Sequence, residues 1–549
     1  MKRSFYKTVA IILVLAALLP LAACGKKNTA EEEEEYVSTG GEDLLVADAA
    51  DKVFTLNSSS HYSLNPIIAT NHANQLICDL VYENMLDLDN SFNVLPGILV
   101  EGSCNEDGTY WTFNMDLENP HYFHDGSEVT ARDVRISLQY AVQSDRYAGR
   151  FSSFMGCSHD NDAGKIYVAL GKGNTQFNKL MNIPVIKAGT YDSDHPIGSG
   201  PYTYNEDFTQ LVAAETYPGY KTLPVDTIYI KEYSSAADII SAFEDSYIDI
   251  TINDPSSYTN LGFASTNENH DYATTNMHYV MFNSESTVCR YAAFRYAMAI
   301  AFDRNYLVDM LKGHGVAAAC PMYPTCSLYP TDIANSLRYD LDKCASILEN
   351  AGVADYNEDG WREYMSGVPV AFRLRFIVCN DSSAKVGVAN KFAADMEKIG
   401  VRVDVLPLVW DDYVKALEEG EFDMYYGEIR LRNDFDLTEL FDPDSGMDKK
   451  TEIWHGINYS RSKDTSYADY INAYLASSDR TVAGNYSALC NYVAQESLLI
   501  PLGFENQQLI SHRGICQGLN PNYGNPLYDF QNWTIDLSYT NTRKAKGGN

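Results

Sequence analysis

A short segment in the second half of the sequence carries the side chains best suited to holding a charged ligand. Its charged residues are Arg430, Arg432, Asp434 and Asp436. The segment follows Phe422-Asp423-Met424-Tyr425-Tyr426, which is typical of a strand. Because ligands of α/β sheets bind beyond the carboxyl ends of strands, we expect the residues from Gly427 to Asp436 to line a binding site.

Catalytic signatures are missing from the sequence. It contains neither H-E-x-x-H nor G-x-S-x-G. Ser460-Arg461-Ser462-Lys463 matches the S-x-x-K acylation motif, but the partner motifs S-D-N and K-T-G are absent. His124-Asp125 could serve acid–base chemistry, although a histidine beside an Asp-Gly turn is more often structural. We therefore predict no enzyme and keep a secreted hydrolase as the alternative from another class.

The spacing of the cysteines and histidines, the usual metal ligands, predicts neither a metal nor a cofactor. The sequence has eleven cysteines but no C-x-x-C, and its eleven histidines are scattered, so zinc and nickel spacing is missing. Asp355 to Gly360 resembles the first half of a calcium loop, yet position 12 is Ser366, and Glu363 would complete only a weak site. Calcium and a solvated acidic turn both stay open there. Disulfides also stay open, because spacing cannot give connectivity.

Length and charge limit the classes of function. A chain of 549 residues is too long for one compact core, which predicts two or more domains. With 45% hydrophobic residues the chain is globular. Its net charge of −33 argues against nucleic acid as a partner, because nucleic-acid binding requires a basic footprint.

The N-terminus predicts export and a lipid anchor. Lys2 and Arg3 precede an apolar run from Val9 to Leu21, which is short for a membrane span and typical of a secretory signal. The run ends in Leu21-Ala22-Ala23-Cys24-Gly25, which resembles the bacterial lipobox. We expect a signal peptide over residues 1–23, lipid on Cys24 and an acidic tether over residues 24–43. The protein would then be anchored to the cell membrane and face outward.

The segment from Asn276 to Leu311 predicts a passage from one globular unit to another. Tyr279 to Phe282 are strand formers, and turn residues follow them. A helix is predicted next, and Asp303 can cap a second helix that ends at Gly313. The apolar positions on one face of the first helix are Phe294, Ala297, Met298 and Ala301.

Strands and helices alternate elsewhere in the chain. Phe372 to Val378 alternates as a strand, a helix ends at Gly400, and Val401 to Val405 alternates again. Strand, helix and strand in that order predict a parallel pair with a crossover. A further helix is predicted from Asp411 and stops at Gly420. In the first half we predict a helix over Gln75 to Met85 and a helix that is capped by Thr130 and Asp133.

Six motifs occur in order along the chain. They are FHDGSEVTARDVRISLQYA at Phe123 to Ala141, PIGSGPY at Pro196 to Tyr202, FNSESTVCRYAAFRYAMAIAFDRNYLV at Phe282 to Val308, YDLDKCASILENAG at Tyr339 to Gly352, MEKIGVRVDV at Met396 to Val405 and GEFDMYYGEIRLRNDFD at Gly420 to Asp436. Together they resemble family 5 of the bacterial extracellular solute-binding proteins, which serve oligopeptide, dipeptide and nickel ABC transporters. The sequence departs from this family after Met115-Asp116, where the family often has an arginine.

The resemblance implies an α/β fold of the two-lobed, periplasmic-binding-protein-like kind (type II, large peptide-binding subclass), with a hinge between the lobes. Lobe I would cover residues 44–285, with an extra subdomain at about 90–195, and would be completed by residues 498–549. Lobe II would cover residues 286–497. Hinge closure would enclose a ligand between the lobes.

The implied function is that of a substrate-binding lipoprotein of an ABC importer, which captures an extracellular peptide and delivers it to the membrane permease. We expect a monomer without cofactor or metal. In peptide-binding relatives, an aspartate beyond the Phe-Asp strand pairs with the α-amino group of the peptide. Asp434 fits best and Asp436 is the alternative, although a capping role at the helix that begins near Leu437 suits Asp436 better. The predicted ligand-binding residues are Asp434, Asp436, Arg430, Arg432, Trp454, Asn458, Ser59 and His61. An oligosaccharide or another small solute is the alternative ligand, because forty tyrosines offer rings that stack on sugars.

Overall fold

The computed structural model describes residues 53–233, 235–254, 261 and 267–537. The predicted signal peptide, the predicted lipidation site at Cys24 and the acidic tether lie outside the described residues. The helices are α1 His72–Val81, α2 Ala131–Gln143, α3 Ala236–Glu244, α4 Ala292–Ala301, α5 Arg304–Met310, α6 Thr331–Ser336, α7 Leu341–Asn350, α8 Ser383–Lys398, α9 Trp410–Glu419, α10 Thr438–Phe441, α11 Ser466–Leu475 and α12 Val482–Glu496. Among the described residues, no helix has both the length and the apolar character needed to cross a bilayer.

The strands belong to several sheets. They are β1 Phe54–Ser58, β2 Leu86–Leu88, β3 Val94–Pro96, β4 Leu99–Cys104, β5 Tyr110–Met115, β6 Phe154–Asp160, β7 Lys165–Leu170, β8 Tyr202–Tyr204, β9 Gln210–Ala213, β10 Thr227–Glu232, β11 Ile250–Asn253, β12 Glu268–Phe282, β13 Gly315–Ala317, β14 Val353–Ala354, β15 Glu363–Ser366, β16 Val368–Ala371, β17 Leu374–Cys379, β18 Val403–Leu408, β19 Met424–Arg430, β20 Gly446–Met447, β21 Trp454–His455, β22 Leu499–Ser511, β23 Cys516–Gln517 and β24 Thr534–Ile535.

Capping side chains set the helix boundaries as the sequence predicts. Thr130 and Asp133 form a capping box at the start of α2, and the Asp303 carboxylate accepts a hydrogen bond from the backbone N–H of Tyr306. Gly420 ends α9 in the left-handed region, with φ of 74°. The predicted helix over Gln75 to Met85 is displaced towards the N-terminus, because the Asn71 side chain caps α1 and the backbone is already extended at Tyr82.

The largest sheet joins distant parts of the chain. Its strand order is β11-β22-β12-β19-β17-β18, and β13 also pairs with β22. β17 and β18 are parallel and flank α8, which confirms the predicted crossover unit. The strand predicted over Phe422 to Tyr426 instead continues to Arg430, because Asn276 to Phe282 of β12 supply antiparallel partners along its whole length. Gly427 to Arg430 therefore lie within the sheet rather than in a loop beyond it.

Two hydrophobic cores divide the structure into lobes. The first core draws on residues from Phe54 to Tyr272 and again from Leu509 to Trp533. The second is built from residues between Ala273 and Phe504, and Leu88 and Phe92 join it from the first lobe. The cores therefore change over within β12, ahead of the predicted boundary between residues 285 and 286, and within β22.

In lobe I, two four-stranded sheets frame the N-terminal half. One has the order β1-β10-β9-β8, in which β1 and β10 are parallel. The other has the order β4-β5-β7-β6 and is antiparallel. α2 lies in contact with β6 and β7 of this second sheet, which occupies the region of the predicted extra subdomain.

We predict that Gly427→Ala destabilises the pairing of β19 with β12. A Cβ atom at Gly427 would lie 2.2 Å from Cζ of Tyr279, its partner on β12. Overpacking of this kind costs about 1–3 kcal/mol. Thermal unfolding of the variant should therefore occur at a lower temperature than that of the parent.

Gly446→Ala is the matched control, because a Cβ atom there meets nothing within 4 Å. It should leave the unfolding temperature nearly unchanged. Equal effects of the two substitutions would contradict the tight packing of Tyr279 on Gly427.

Candidate functional site

A cleft of about 420 Å³ lies between the two lobes. This volume is within the range of about 300–1,000 Å³ that is typical of small-molecule sites. Its wall includes residues of α1 and of the segment after α2. Strands β12 and β22, the end of β19 with the segment after it, and the C-terminal segment that returns to lobe I complete the wall. The charged and polar lining residues include His72, Gln75, Asp79, Asp145, Arg146, Arg150, Tyr272, Thr274, Arg430, Arg432, Asn433, Glu439, Gln507 and Tyr523.

The arginines of the cleft differ in their partners. Arg146 donates to the carbonyl oxygen of Pro66 over 2.7 Å, and Arg150 donates to the Asn182 side chain. Arg432 is held by carboxylates. Arg430, at the end of β19, has no side-chain hydrogen bond or ion pair with any residue that the structure describes. Its charge also lowers the pKa of the His72 imidazole, second to the effect of burial. Arg430 is thus an uncompensated cation at the cleft.

The predicted anchor Asp434 is fully buried and fully occupied. Its Oδ2 accepts hydrogen bonds from Arg432 and from Nδ2 of Asn174, each over 2.8 Å, and its Oδ1 accepts from Nε of Arg432 over 3.2 Å. Arg432 also lies 2.8 Å from Oδ2 of Asp436. Burial alone would lower the pKa of Arg432, but the two carboxylates raise it above its usual value. Amine binding by Asp434 stays a prediction, and it requires that Arg432 turn to Asp436 alone and that Asn174 release its hydrogen bond.

Asp436 has a second role beside its ion pair. Its Oδ1 accepts a hydrogen bond from the backbone N–H of Thr438 over 2.9 Å, at the first turn of α10. This is the helix-capping alternative that the sequence left open for Asp436.

The contact between Asn174 and Asp434 is part of a joint between the lobes. Asn174 belongs to lobe I, and the neighbouring Thr175 N–H donates to the carbonyl oxygen of Leu475 in lobe II over 2.7 Å. Asn433 of lobe II donates back to the carbonyl oxygen of Lys179 over 3.1 Å. These bonds connect the lobes directly beside the cleft.

One face of α1 presents polar groups to the cleft. His72, Gln75 and Asp79 follow one another at spacings of three and four residues, which places them on the same side of the helix. Nε2 of His72 lies 3.4 Å from Nε2 of Gln507, whose Oε1 accepts from the Tyr272 hydroxyl over 2.9 Å. The Oδ2 atom of Asp79 is buried and has no hydrogen-bond partner among the described residues. An unpartnered buried oxygen costs about 1–3 kcal/mol.

The other predicted binding residues do not line this cleft. Trp454 stacks on Tyr459 with ring centroids 5.3 Å apart, within lobe II. The Asn458 side chain donates to the carbonyl oxygen of Asp442 over 2.9 Å. Ser59 is buried and its backbone pairs with the Asn74 side chain, while His61 is exposed outside the cleft. Of the predicted ligand-binding residues, Arg430 and Arg432 border the cleft, and Asp434 and Asp436 lie directly behind Arg432.

A cluster of side chains of the kinds that bind metal ions lies on β12, β19 and β22. Ligand atoms of His278, Glu428 and Glu505 lie within 4.8 Å of one another. Nε2 of His278 is 2.6 Å from Oε1 of Glu505, and Nζ of Lys385 is 2.5 Å from Oε2 of Glu428. The sequence did not bring these residues together, although His278 and Glu428 are direct partners on β12 and β19. Lys385 already supplies the positive charge that a cation would bring to Glu428.

The segment from Asp355 to Gly360, which resembles the first half of a calcium loop, forms a hydrogen-bonded turn. The Asp355 carboxylate accepts from the backbone N–H groups of Asp359 and Gly360, over 3.1 and 2.8 Å. Glu363 accepts from the backbone N–H of Tyr356 over 3.0 Å. The acidic side chains therefore serve the turn itself.

A second cavity of about 490 Å³ lies within lobe II. It is bordered by helices α4, α6, α7 and α12 and contains no charged lining residue among those described. Its lining residues are Ala293, Tyr296, Ile333, Ser336, Ile347, Asn491, Ala494 and Gln495. The cleft is the better candidate site, because it has convergent charged groups and is bounded by both lobes.

Comparison with known proteins identifies the class. Residues 93–443 match the family model "Bacterial extracellular solute-binding proteins, family 5 Middle". Because the match covers more than half of the chain, this protein belongs to the family 5 extracellular solute-binding proteins.

Two curated relatives and one solved structure extend the comparison. The oligopeptide-binding protein AppA of Bacillus subtilis is 21% identical over 96% of this chain and 98% of its own length. The heme-binding protein A of Haemophilus influenzae is 23% identical over 76% of this chain and 80% of its own length. The crystal structure of the ABC transporter substrate-binding protein CtaP of Listeria monocytogenes matches with a TM-score of 0.68 and 17% identity, over 88% of this chain and 99% of that chain. The predicted two-lobed α/β fold is confirmed.

We predict that Asn174→Ala loosens the joint between the lobes. The substitution removes a hydrogen bond to a buried carboxylate, a contact worth about 1.5–3 kcal/mol. Small-angle scattering of the ligand-free variant should give a larger radius of gyration than that of the parent. Asn119→Ala is the control, because the Asn119 side chain donates to Asp116 within its own exposed turn. An unchanged radius for Asn174→Ala would show that this contact does not hold the lobes together.

Proposed function

We propose that this solute-binding protein captures a short peptide in the cleft between its lobes and delivers it to the permease of an ABC importer. The observation that carries the proposal is the cleft itself, which is enclosed by both lobes and holds the unpaired Arg430 together with acidic groups. A peptide carries a carboxylate and an ammonium group, so its charges complement such a wall. Main-chain hydrogen bonds to β12 and β22, the strands that connect the lobes, would add affinity without strong sequence preference.

The relatives support peptide over the other ligand classes. AppA is named for oligopeptide binding and matches nearly the full length of both chains. Haem, the ligand in the name of the second relative, would expose a large apolar macrocycle to the charged groups of this cleft. An oligosaccharide would need aromatic rings on which to stack. Of the forty tyrosines that motivate this alternative, Tyr272 and Tyr523 are the two that line the described cleft.

We propose that the protein binds without catalysing a reaction. Ser460 of the S-x-x-K sequence is fully buried and donates to the Asn458 side chain, and Lys463 donates to the carbonyl oxygen of Ser445 over 3.1 Å. Serine and lysine are thus engaged separately rather than as nucleophile and base. His124 lies with Nε2 3.0 Å from the carbonyl oxygen of Gly200. These contacts support structural roles.

A peptide screen tests the proposal. We expect a peptide pool of two to five residues to raise the unfolding temperature, because a ligand at 100 times its Kd adds about 2.7 kcal/mol to the free energy of unfolding. Oligosaccharide and haem should have no such effect. Scattering should show that the bound state is at least as compact as the free state. Stabilisation by a saccharide and not by peptide would overturn the proposal.

We further propose that Cys24 carries the lipid that holds the protein at the outer face of the cell membrane, as a monomer. After expression in a bacterium, the parent should enter the detergent phase in Triton X-114 partitioning. Cys24→Ser should move to the aqueous phase or stay unprocessed, because only a thiol forms the thioether to diacylglycerol. Ser38→Ala lies beyond the lipobox and serves as the control. Detergent partitioning of Cys24→Ser at the parental level would refute the anchor.

A further inference from the structure

Asp79 lines the cleft, and one oxygen of its carboxylate has no hydrogen-bond partner among the described residues. It lies on α1, on the face that also presents His72 and Gln75 to the cleft. Its Oδ2 atom is the one buried carboxylate oxygen without a hydrogen-bond partner in the part of the chain that the structure describes. Asp79 also borders an adjoining cavity of about 30 Å³. Asp79 as a whole is only half-buried and lines the cleft, so a group that enters from the cleft can reach its carboxylate.

The neighbouring arginines do not satisfy Asp79. Burial raises the pKa of the Asp79 carboxyl well above its usual range, and the Arg146 charge opposes this shift only in part. The Arg146 guanidinium donates instead to the carbonyl oxygen of Pro66 and lies 4.8 Å from the ring centroid of Tyr147. Arg150 lies against the same ring at 4.9 Å. A cation placed directly on the carboxylate would reverse the penalty of burial.

The other carboxylates near the cleft are less suited to a ligand ammonium. Asp434 and Asp436 share Arg432, and Asn174 also donates to Asp434. Asp145 and Glu439 are exposed to solvent, which weakens any ion pair that they form. Asp79 combines a half-buried side chain, an unpartnered buried oxygen and access from the cleft.

We infer that Asp79 receives the α-ammonium group of the peptide, an assignment that rests on the proposed function. Arg430, which lacks a partner among the described residues, is the complementary cation for the carboxylate of the same ligand. Lobe I would then hold the amino end of the peptide through α1. Lobe II would hold its carboxyl end through Arg430 at the end of β19. Removing the ammonium charge from the ligand, or the carboxylate from the protein, breaks the same ion pair.

A cycle of protein and ligand changes tests this assignment. The probes are a randomised tripeptide pool and the same pool with acetylated amino termini, and native mass spectrometry measures the bound fraction. The proteins are the parent, Asp79→Asn, Asp434→Asn and the control Asp309→Asn, which makes the same change at an exposed helical acid on α5, outside the cleft lining. We expect the parent and Asp309→Asn to prefer the free amine at least tenfold and Asp79→Asn to bind both pools within about twofold. The unfolding temperature of Asp79→Asn should not be lower than that of the parent, because no hydrogen bond to Oδ2 is lost.

The outcomes separate this inference from the proposed function. If the parent binds neither pool, the proposal of a peptide ligand fails, and the assignment of Asp79 fails with it. If the parent binds both pools equally, peptide binding stands and anchoring of the amine by a carboxylate is wrong. If Asp434→Asn loses the preference and Asp79→Asn keeps it, the amine lies at Asp434, as the sequence predicted, and the assignment to Asp79 is overturned.

Discussion

The antiparallel pairing of β12 with β22 is the constraint on which the rest of the structure depends. Every backbone N–H and C=O group that leaves water needs a partner, and these two strands satisfy each other from Glu268–Ser511 at one end to Met281–Leu499 at the other. One end of the pair belongs to the core of lobe I and the other to the core of lobe II. The two register shifts between Ala273 and Tyr279 fall where the cores change over. The pair therefore connects the lobes and also forms part of the wall of the cleft between them.

Charge is distributed around this cleft in a way that favours a charged ligand. Arg432 forms ion pairs with both Asp434 and Asp436 behind the wall, whereas Arg430 and Asp79 face the cleft without ion-pair partners among the described residues. Asp79 is half-buried, where an electrostatic contact is stronger than in water, and Arg430 is exposed to solvent. The protein thus combines a satisfied joint between the lobes with unsatisfied groups that a ligand can complete.

The sequence predicted what depends on neighbours along the chain. The cap at Asp303, the capping box of Thr130 and Asp133, and the end of α9 at Gly420 all follow from local backbone chemistry. The parallel pair of β17 and β18 follows from the order of strand, helix and strand. Contacts between distant segments could not be predicted in this way. Asn174 meets Asp434 across 260 positions, and Asp79 is distinguished from other described acids by its unpartnered buried oxygen, which a single sequence does not reveal.

The division of the cores has a consequence for the order in which the chain can fold. The core of lobe II is nearly contiguous, from Ala273 to Phe504, so most of it can assemble as soon as that segment is available. The core of lobe I is completed only by the return of the chain, because Phe530 packs against Phe54 with ring centroids 5.9 Å apart, and against Tyr202 at 5.7 Å. Domains usually fold from the N-terminus during synthesis. Here the N-terminal lobe is completed last, so the part of its apolar surface that the C-terminal residues cover stays exposed until synthesis is nearly finished.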